Sequence, residues 1–363
     1  IFEGSGAPKT QSDRKPGERA GGDGDGEQRE KAYKSAYTRW LRFGMGGLND
    51  EQRTLMQTGY SELDAKDPEV RAMSTLVGAT GGFTVPQGFI TDVEKAMVDF
   101  SGVRQSRAQV LSTESGNDLP WPTANDTSNE GEMVGENTAT STDAGPSPFG
   151  QIMLKGFLFS SKLVLVPIQL LQDSAINIEQ FLSGILGERL GRAQNRKFTT
   201  GTGVSEPQGI VNGASLGKTA AGAAAITYGE LVDLQHSVDP AYRANAEWMF
   251  HDSTFALLHK LLDSDGRPIW QPAAVSSMAG GPPSTLLGAP YRINQHMATP
   301  ATTAKTVLWG DMSKYKIRQI RNMVLVRLTE RYAEQFQVGF FAFLRADGRH
   351  VNPGNAIKYL QQA

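Results

Sequence analysis

The sequence predicts an α+β fold, and three observations carry that expectation. Segments with a helical apolar period (28–43 and 178–200) stand apart from β-rich segments with alternating apolar character (151–166, 324–328 and 335–345). Strands and helices follow one another in mixed order and not as a strict βαβ repeat. A chain of 363 residues with 39% hydrophobic residues is long enough for roughly two packed units.

The first stretch, 1–27, is rich in Gly, Pro and charge, with Gly21-Gly22-Asp23-Gly24-Asp25-Gly26 at its end. It cannot bury enough apolar surface to offset its ordering entropy, so a mobile tail is expected. From Gln28 to Phe43, Tyr33, Tyr37, Trp40 and Leu41 share a helical face, and Gly44 ends the helix. A shorter helix is expected over Asp50–Gln57. Gly78, Gly81 and Gly82 then break the chain before Phe83-Thr84-Val85-Pro86.

A strand near Gln109–Ser112 leads into Asn117-Asp118-Leu119-Pro120-Trp121-Pro122, and a long β-rich run covers Gln151–Val166. In that run Ile152, Leu154 and Leu158 point to one face, and Met153, Phe157 and Phe159 to the other. The residues between are polar and few are large. This pattern predicts a two-stranded arm with a polar tip. An isolated hairpin is marginal in water, so an arm apolar on both faces is expected to lie on something else.

The next element is a long helix, Ile178–Thr200, capped by Asn177 and stopped by Gly201 and Gly203. Ile178, Phe181, Leu182, Ile185, Leu186, Leu190, Ala193 and Phe198 form its apolar stripe. It spans roughly 35 Å at 1.5 Å per residue. A small-residue loop is expected over Ala214–Ala225, then a helix opened by the capping box Thr227/Glu230. Trp248-Met249-Phe250 reads as a buried strand, followed by a helix from Asp252 to about Leu262. Strands at Tyr291-Arg292-Ile293, Val307–Asp311, Val324–Leu328, Gln335–Arg345 and Ala356–Leu360 complete the chain.

Composition narrows the function. The formal net charge of −2 excludes a generally basic nucleic-acid binder. With no cysteine there are no disulfides and no thiolate zinc sites. No run of eighteen apolar residues offers a membrane span, and no secretory signal is expected from the N-terminal composition. The five histidines, His236, His251, His259, His296 and His350, show no metal-ligand spacing, so no metal or cofactor is expected.

Weak motifs fall to their context. Gly213-Ala214-Ser215-Leu216-Gly217 matches a nucleophile elbow, but no amphipathic helix follows at once, so a hydrolase using Ser215 is a minor alternative. Asp263-Ser264-Asp265-Gly266 opens like a calcium loop but fails at later positions and is expected to be a turn. Gly201-Thr202-Gly203 lacks a phosphate-cradling pattern and is expected to stop a helix. No enzymatic site emerges; a soluble binding module is a further alternative.

The arm tip carries the clearest charge signal. From Trp121 to Pro148 there is no Lys or Arg, while Asp126, Glu130, Glu132, Glu136 and Asp143 are acidic. Such a tip is either a solvated surface or a surface that docks on a basic patch of another copy. Two patches are candidates: Arg189, Arg192, Arg196 and Lys197 on the long helix, and Arg345 with Arg349.

Several stretches together resemble the major capsid proteins of tailed bacteriophages, with their Hong Kong 97-type fold. They are Gly81-Gly82-Phe83-Thr84-Val85-Pro86, Leu170-Leu171-Gln172-Asp173-Ser174, Thr200-Gly201-Thr202-Gly203, Pro207-Gln208-Gly209-Ile210, Leu262-Asp263-Ser264-Asp265-Gly266-Arg267-Pro268, Leu287-Gly288-Ala289-Pro290, and Trp309-Gly310-Asp311 with Tyr315. The resemblance runs from about residue 28 to the end.

It implies an N-terminal arm over 1–84, an extended loop over 117–160, and a peripheral domain built from 85–116, from 161–207 with the long helix as its spine, and from the return strands 324–350. It also implies an axial domain over 208–323 and a C-terminal strand over 351–363. By resemblance the function is self-assembly, as pentamers and hexamers, into an icosahedral virion shell around double-stranded DNA, with no sequence-specific DNA contact. Assembly in the host bacterial cytoplasm with portal, scaffold or protease, and a possible decoration protein, are likewise implied. So is an upstream assembly-guiding segment, expected to be already removed because no long coiled coil is present. Some members join subunits through a Lys on the extended loop; this tip has none, so non-covalent contacts are expected. An encapsulin-like compartment is the alternative, disfavoured by the long N-terminal arm.

Overall fold

The computed structural model describes residues 23–58, 82–84, 87–124, 133–139, 149–173, 177–263, 265–270, 285–351 and 356–363. The elements used below are α1 (Asp23–Phe43), α2 (Asp50–Thr58), β1 (Gly82–Thr84), α3 (Gln87–Asp99), β2 (Gln109–Thr113), β3 (Leu119–Ala124), β4 (Phe149–Leu154), β5 (Phe157–Ser160), β6 (Val164–Pro167), α4 (Ile178–Thr200), β7 (Ser215–Thr219), α5 (Tyr228–Ser237), β8 (Glu247–Phe250), α6 (Asp252–His259), β9 (Thr285–Leu286), β10 (Ala289–Ile293), β11 (Lys305–Gly310), β12 (Tyr315–Leu328), β13 (Gln337–His350) and β14 (Ile357–Gln361). The α+β expectation holds.

The strands form two six-stranded sheets and one two-stranded ribbon. In the first sheet β12 and β13 are the long central pair, with β1 and β2 on the far side of β12 and β5 and β6 on the far side of β13. The second runs β7-β14-β11-β8-β10-β9. The ribbon is β3 with β4, which among the described residues pair only with each other.

Helix α4 forms over the predicted residues. Asn177 caps it by accepting from the Gln180 backbone N–H, and Gly201 ends it with an N–H to the Lys197 carbonyl. Its buried face is wider than the predicted stripe. Leu182, Leu186 and Leu190 are buried as expected, but so are Ser183, Gly187, Gly191, Gln194 and Asn195, while Phe181 is exposed. The glycines explain the extra row. A Cβ at Gly191 would sit 2.8 Å from the Met97 carbonyl oxygen, and one at Gly187 would sit 2.8 Å from that of Val93. Helix α3, which the sequence reading missed, lies in that groove with Phe89, Ile90, Val93 and Met97 buried.

Helix α1 begins at Asp23, five residues before the expected start, so the end of the segment read as a mobile tail is helical; residues 1–22 lie outside the described residues. Its face of Tyr33, Ala36, Tyr37, Trp40 and Leu41 is fully buried within this same chain. Tyr37 packs edge-on against Phe89, and the Thr38 hydroxyl donates to Glu179 at the start of α4 (3.1 Å). The apolar stripe of the expected arm is therefore bedded on its own subunit.

Two expected boundaries move. β12 starts at Tyr315 and belongs wholly to the first sheet, so the second unit gives way before residue 323. β14 pairs with β11 and β7, so the C-terminal strand is an inner member of the second sheet. That sheet has its own core, centred on the cross-strand pair Trp248/Trp309 with ring centroids 4.3 Å apart. The expected loop over Ala214–Ala225 is also corrected: Ser215–Thr219 forms β7, because its backbone completes the ladder beside β14.

Candidate assembly surface

The expected single return strand breaks into β4, β5 and β6. The face assignment changes with it: Leu154 is fully buried, Leu158 is 66% exposed, and Phe159 is buried. The chain irregularity at Lys155-Gly156 resets the alternation, and the end of the Ile320 side chain packs where a Cβ of residue 156 would sit. Strands β2, β5 and β6 belong to the subunit's own first sheet; the separate ribbon is β3 with β4.

The root of the ribbon is held by two buried charges. Arg318 is 1% exposed and lies on β12. Its Nη1 donates to the Leu154 carbonyl (2.7 Å), its Nη2 to the Ser115 carbonyl (2.8 Å) and its Nε to the Thr113 hydroxyl (3.0 Å). One guanidinium therefore ties both legs of the ribbon, which suits its rigid fork of donors. Asp347, its register partner on β13, is fully buried and accepts from the Lys155 backbone N–H (2.6 Å) and from Gly348 (2.8 Å). Burial pushes the Asp347 carboxyl above its ordinary value, with the two backbone donors and Arg349 and Arg318 pulling the other way.

The tip is the opposite. Met133 is completely exposed, and Val134 and Glu136 are exposed beside it. Glu130 and Glu132 lie outside the described residues, as do Asp126 and Asp143. Trp121, nearer the root, is half-buried, and the Lys316 ammonium of the same chain sits 5.9 Å from its ring centroid.

The two predicted basic patches are largely self-paired. Arg189 donates to the Leu163 carbonyl (3.0 Å), Arg192 pairs with Glu188 (2.8 Å) and lies over Phe100, and Lys197 pairs with Glu206. Arg349 donates to the Gly203 carbonyl (3.1 Å). Arg196 and Arg345 are exposed, and among the described residues neither side chain makes a hydrogen bond or ion pair.

Arg345 shares an open face of the first sheet with Leu158 and Leu165, which are 66% and 41% exposed, and with half-buried Val324, Val326, Phe341 and Phe343. The opposite face carries the buried core under α4. A sheet apolar on both faces with one face uncovered is the mark of an interaction surface. The expected alternation over 335–345 overlooked its signal in the sequence, the continuous apolar run 338–344, where a half-solvated strand would alternate.

The remaining motifs carry no chemistry. Ser215 lies in strand β7, paired in register with Lys358, and not on a strand–turn–helix elbow. Asp263 accepts from the backbone of Asp265 (2.9 Å) and Arg267 (2.8 Å), forming the expected turn with Gly266 at φ +78°. Among the described residues no His, Asp and Glu group has metal-holding geometry, and no helix is long and apolar enough to cross a membrane.

No curated protein matches by sequence. Solved structures do. The capsid of a native GTA particle computed with C5 symmetry is 25% identical with a TM-score of 0.61, matching 72% of this chain and 90% of that one. The capsid of an empty GTA particle gives 25% identity and a TM-score of 0.60 over 73% and 90%. A chain of Microbacterium phage Oxtober96 shares the fold at 16% identity and a TM-score of 0.53 over 72% and 91%. The family model described as "Phage capsid family" matches residues 81–362, which take in the ribbon, the spine helix and both sheets, and the chain therefore belongs to the phage capsid family.

Proposed function

We propose that this chain is a major capsid protein whose copies assemble, as pentamers and hexamers, into an icosahedral head shell around a double-stranded DNA genome, in the host cytoplasm. The observation that carries the reading is the ribbon. Its strands pair only with each other, its root is clamped by buried charges, and its tip is exposed and without a cation. A projecting ribbon of this kind gains stability by lying on another copy, because a lone hairpin is marginal in water. The open face of the first sheet supplies apolar surface, and Arg345 and Arg196 supply unpaired cations for the acidic tip.

Repeated head-to-tail contacts of this sort close into rings and then a shell. A standard interface buries about 1,600 Å² in total, and several per subunit give a durable particle without high pairwise affinity. The absence of lysine between Trp121 and Pro148 supports joining by non-covalent contact. Portal, scaffold, protease and decoration proteins are proposed partners in assembly. Membership of the phage capsid family favours a genome-filled head over an encapsulin-like compartment. Negative-stain microscopy of the purified protein tests the reading: closed shells or capsomers are expected, and a monodisperse monomer at assembly concentrations overturns it.

A further inference from the structure

Where the spine helix meets the second sheet, two buried amides face each other. Asn195 of α4 is 3% exposed and Asn294, just after β10, is 1% exposed. Asn195 Nδ2 donates to Asn294 Oδ1 (2.9 Å), and Asn294 Nδ2 donates to the Thr199 hydroxyl of α4 (2.9 Å). Asn195 Oδ1 accepts from the Val103 N–H (3.2 Å) and the Ser101 hydroxyl (3.4 Å), while the Asn294 N–H donates to the Phe250 carbonyl at the end of β8 (2.9 Å). Gly102 packs so tightly here that a Cβ would sit 2.8 Å from Asn294 Cβ. The junction is therefore a fully satisfied polar network beside the apolar contact in which Met249, Leu308 and Ile357 of the second sheet join the core under the spine helix.

One member can titrate. The ring Nδ1 of His296 lies 2.8 Å from Asn195 Nδ2, and the His296 backbone N–H donates to Asn294 Oδ1 (3.0 Å). Since Asn195 Nδ2 has only donor hydrogens, Nδ1 must be the acceptor, so the ring is neutral with its proton on Nε2. His296 is half-buried, so protons reach it from solvent. The charged or titratable groups facing it are Arg192 and Arg196 from α4 and His251 at the start of α6; all of these oppose a positive imidazole. The nearby segment 101–105 contributes a hydroxyl and an N–H, and its Arg104 is turned to Gln194 and Gln319.

We propose that His296 is a pH-sensitive latch that couples the spine helix to the second sheet. Protonation at Nδ1 replaces the acceptor by a second donor, sets N–H against N–H, and places a third cation beside Arg192 and Arg196. The Asn195–Asn294 pair then loses its lateral support and the angle between the spine and the second sheet becomes softer. Burial, followed by the two arginines, holds the imidazole below the ordinary histidine value. With the folded value below the unfolded one, the latch contributes stability above the ordinary value of about 6.5, and that contribution is lost as pH falls through the folded value. The inference is independent of shell formation, because the network lies within one chain.

Hydrogen exchange on the full chain tests it, with protection compared after correction for the intrinsic pH dependence of exchange. Peptides over 190–200 and 290–298 are expected to lose protection several-fold between about pH 7.5 and about pH 5, the range in which histidine titrates. In His296→Gln, whose amide oxygen can still accept but cannot be protonated, that loss is expected to vanish. In Arg196→Gln, an exposed change that leaves the fold intact, the loss is expected to move to higher pH. Equal pH dependence in wild type and H296Q overturns the latch. So does a wild type with unchanged protection, or an R196Q transition that does not move.

Discussion

The two ends of the β3–β4 ribbon are built by opposite rules. At the root, every polar contact is internal: Arg318 and Asp347 are buried and grip the backbone on both legs. At the tip, Met133 and Glu136 face solvent and the surrounding sequence lacks any cation. The root thus holds the ribbon from within one subunit, while the exposed tip is the part we propose to meet another copy. Specificity of folding and specificity of assembly are written into different ends of one hairpin.

The largest expected effect breaks the root. Arg318→Met strands the buried carbonyls of Leu154 and Ser115 and removes one of the two arginines that favour the Asp347 carboxylate, at a cost of about 1–3 kcal/mol for each stranded group. Urea denaturation is expected to show this loss, and an unchanged midpoint would refute the clamp. Next comes the bed of the scaffold itself. Gly191→Val drives a side chain into the α3 backbone at Met97 and is expected to cost about 1–3 kcal/mol by the same assay.

A smaller, pH-dependent effect separates the two root charges. Asp347 has its folded value raised, so its contribution is full below the ordinary carboxyl value and lost as pH rises through the folded one. Asp347→Asn keeps an acceptor for the Lys155 N–H without the charge. Its stability relative to wild type is therefore expected to improve as pH rises from about 4 to about 7, measured by denaturation midpoints. A difference that does not vary with pH would count against the raised carboxyl. At the tip, Glu136→Lys is expected to leave the denaturation midpoint of the subunit unchanged, yet to slow assembly followed by light scattering. Wild-type assembly rate under the same change of salt is the control, since attraction to Arg345 or Arg196 is screened at high ionic strength.

These differences explain what the sequence disclosed. Helix α4 was legible to the residue because its cap, stripe and glycine stop agree. The capping box of Thr227 and Glu230 was legible for the same reason, and both of its hydrogen bonds are present. The ribbon itself could be read from two apolar runs around a polar gap. Helix α3 was missed although Phe89, Ile90, Val93 and Met97 have helical spacing, because Gly78, Gly81, Gly82 and Pro86 just ahead of it are breaker signals.

The basic patches were legible only as charge. A run of arginines reports charge but not partners, and only the folded chain shows Arg189 on Leu163 and Arg192 on Glu188 while Arg196 is left over. Arg318 and Asp347 could not have been found at all, since a charge inside an apolar strand looks like a solvent-facing position until the third dimension is known.

Strand β12 gives the clamp a wider reach. Arg318 sits near one end of it, and Arg327, nearer the other, donates to the carbonyls of Leu41 and Arg42 at the close of α1 (3.2 and 3.3 Å). About 30 Å of extended backbone separates the two arginines at the usual rise per residue. Tension applied to the ribbon enters this girder at one guanidinium and reaches the N-terminal helix through the other. The pairing register with β13 shifts between Ile320 and Val324 along the way. In the proposed shell, a pull on the hairpin is therefore carried to the seat of α1, which puts the two extremities of the subunit in series.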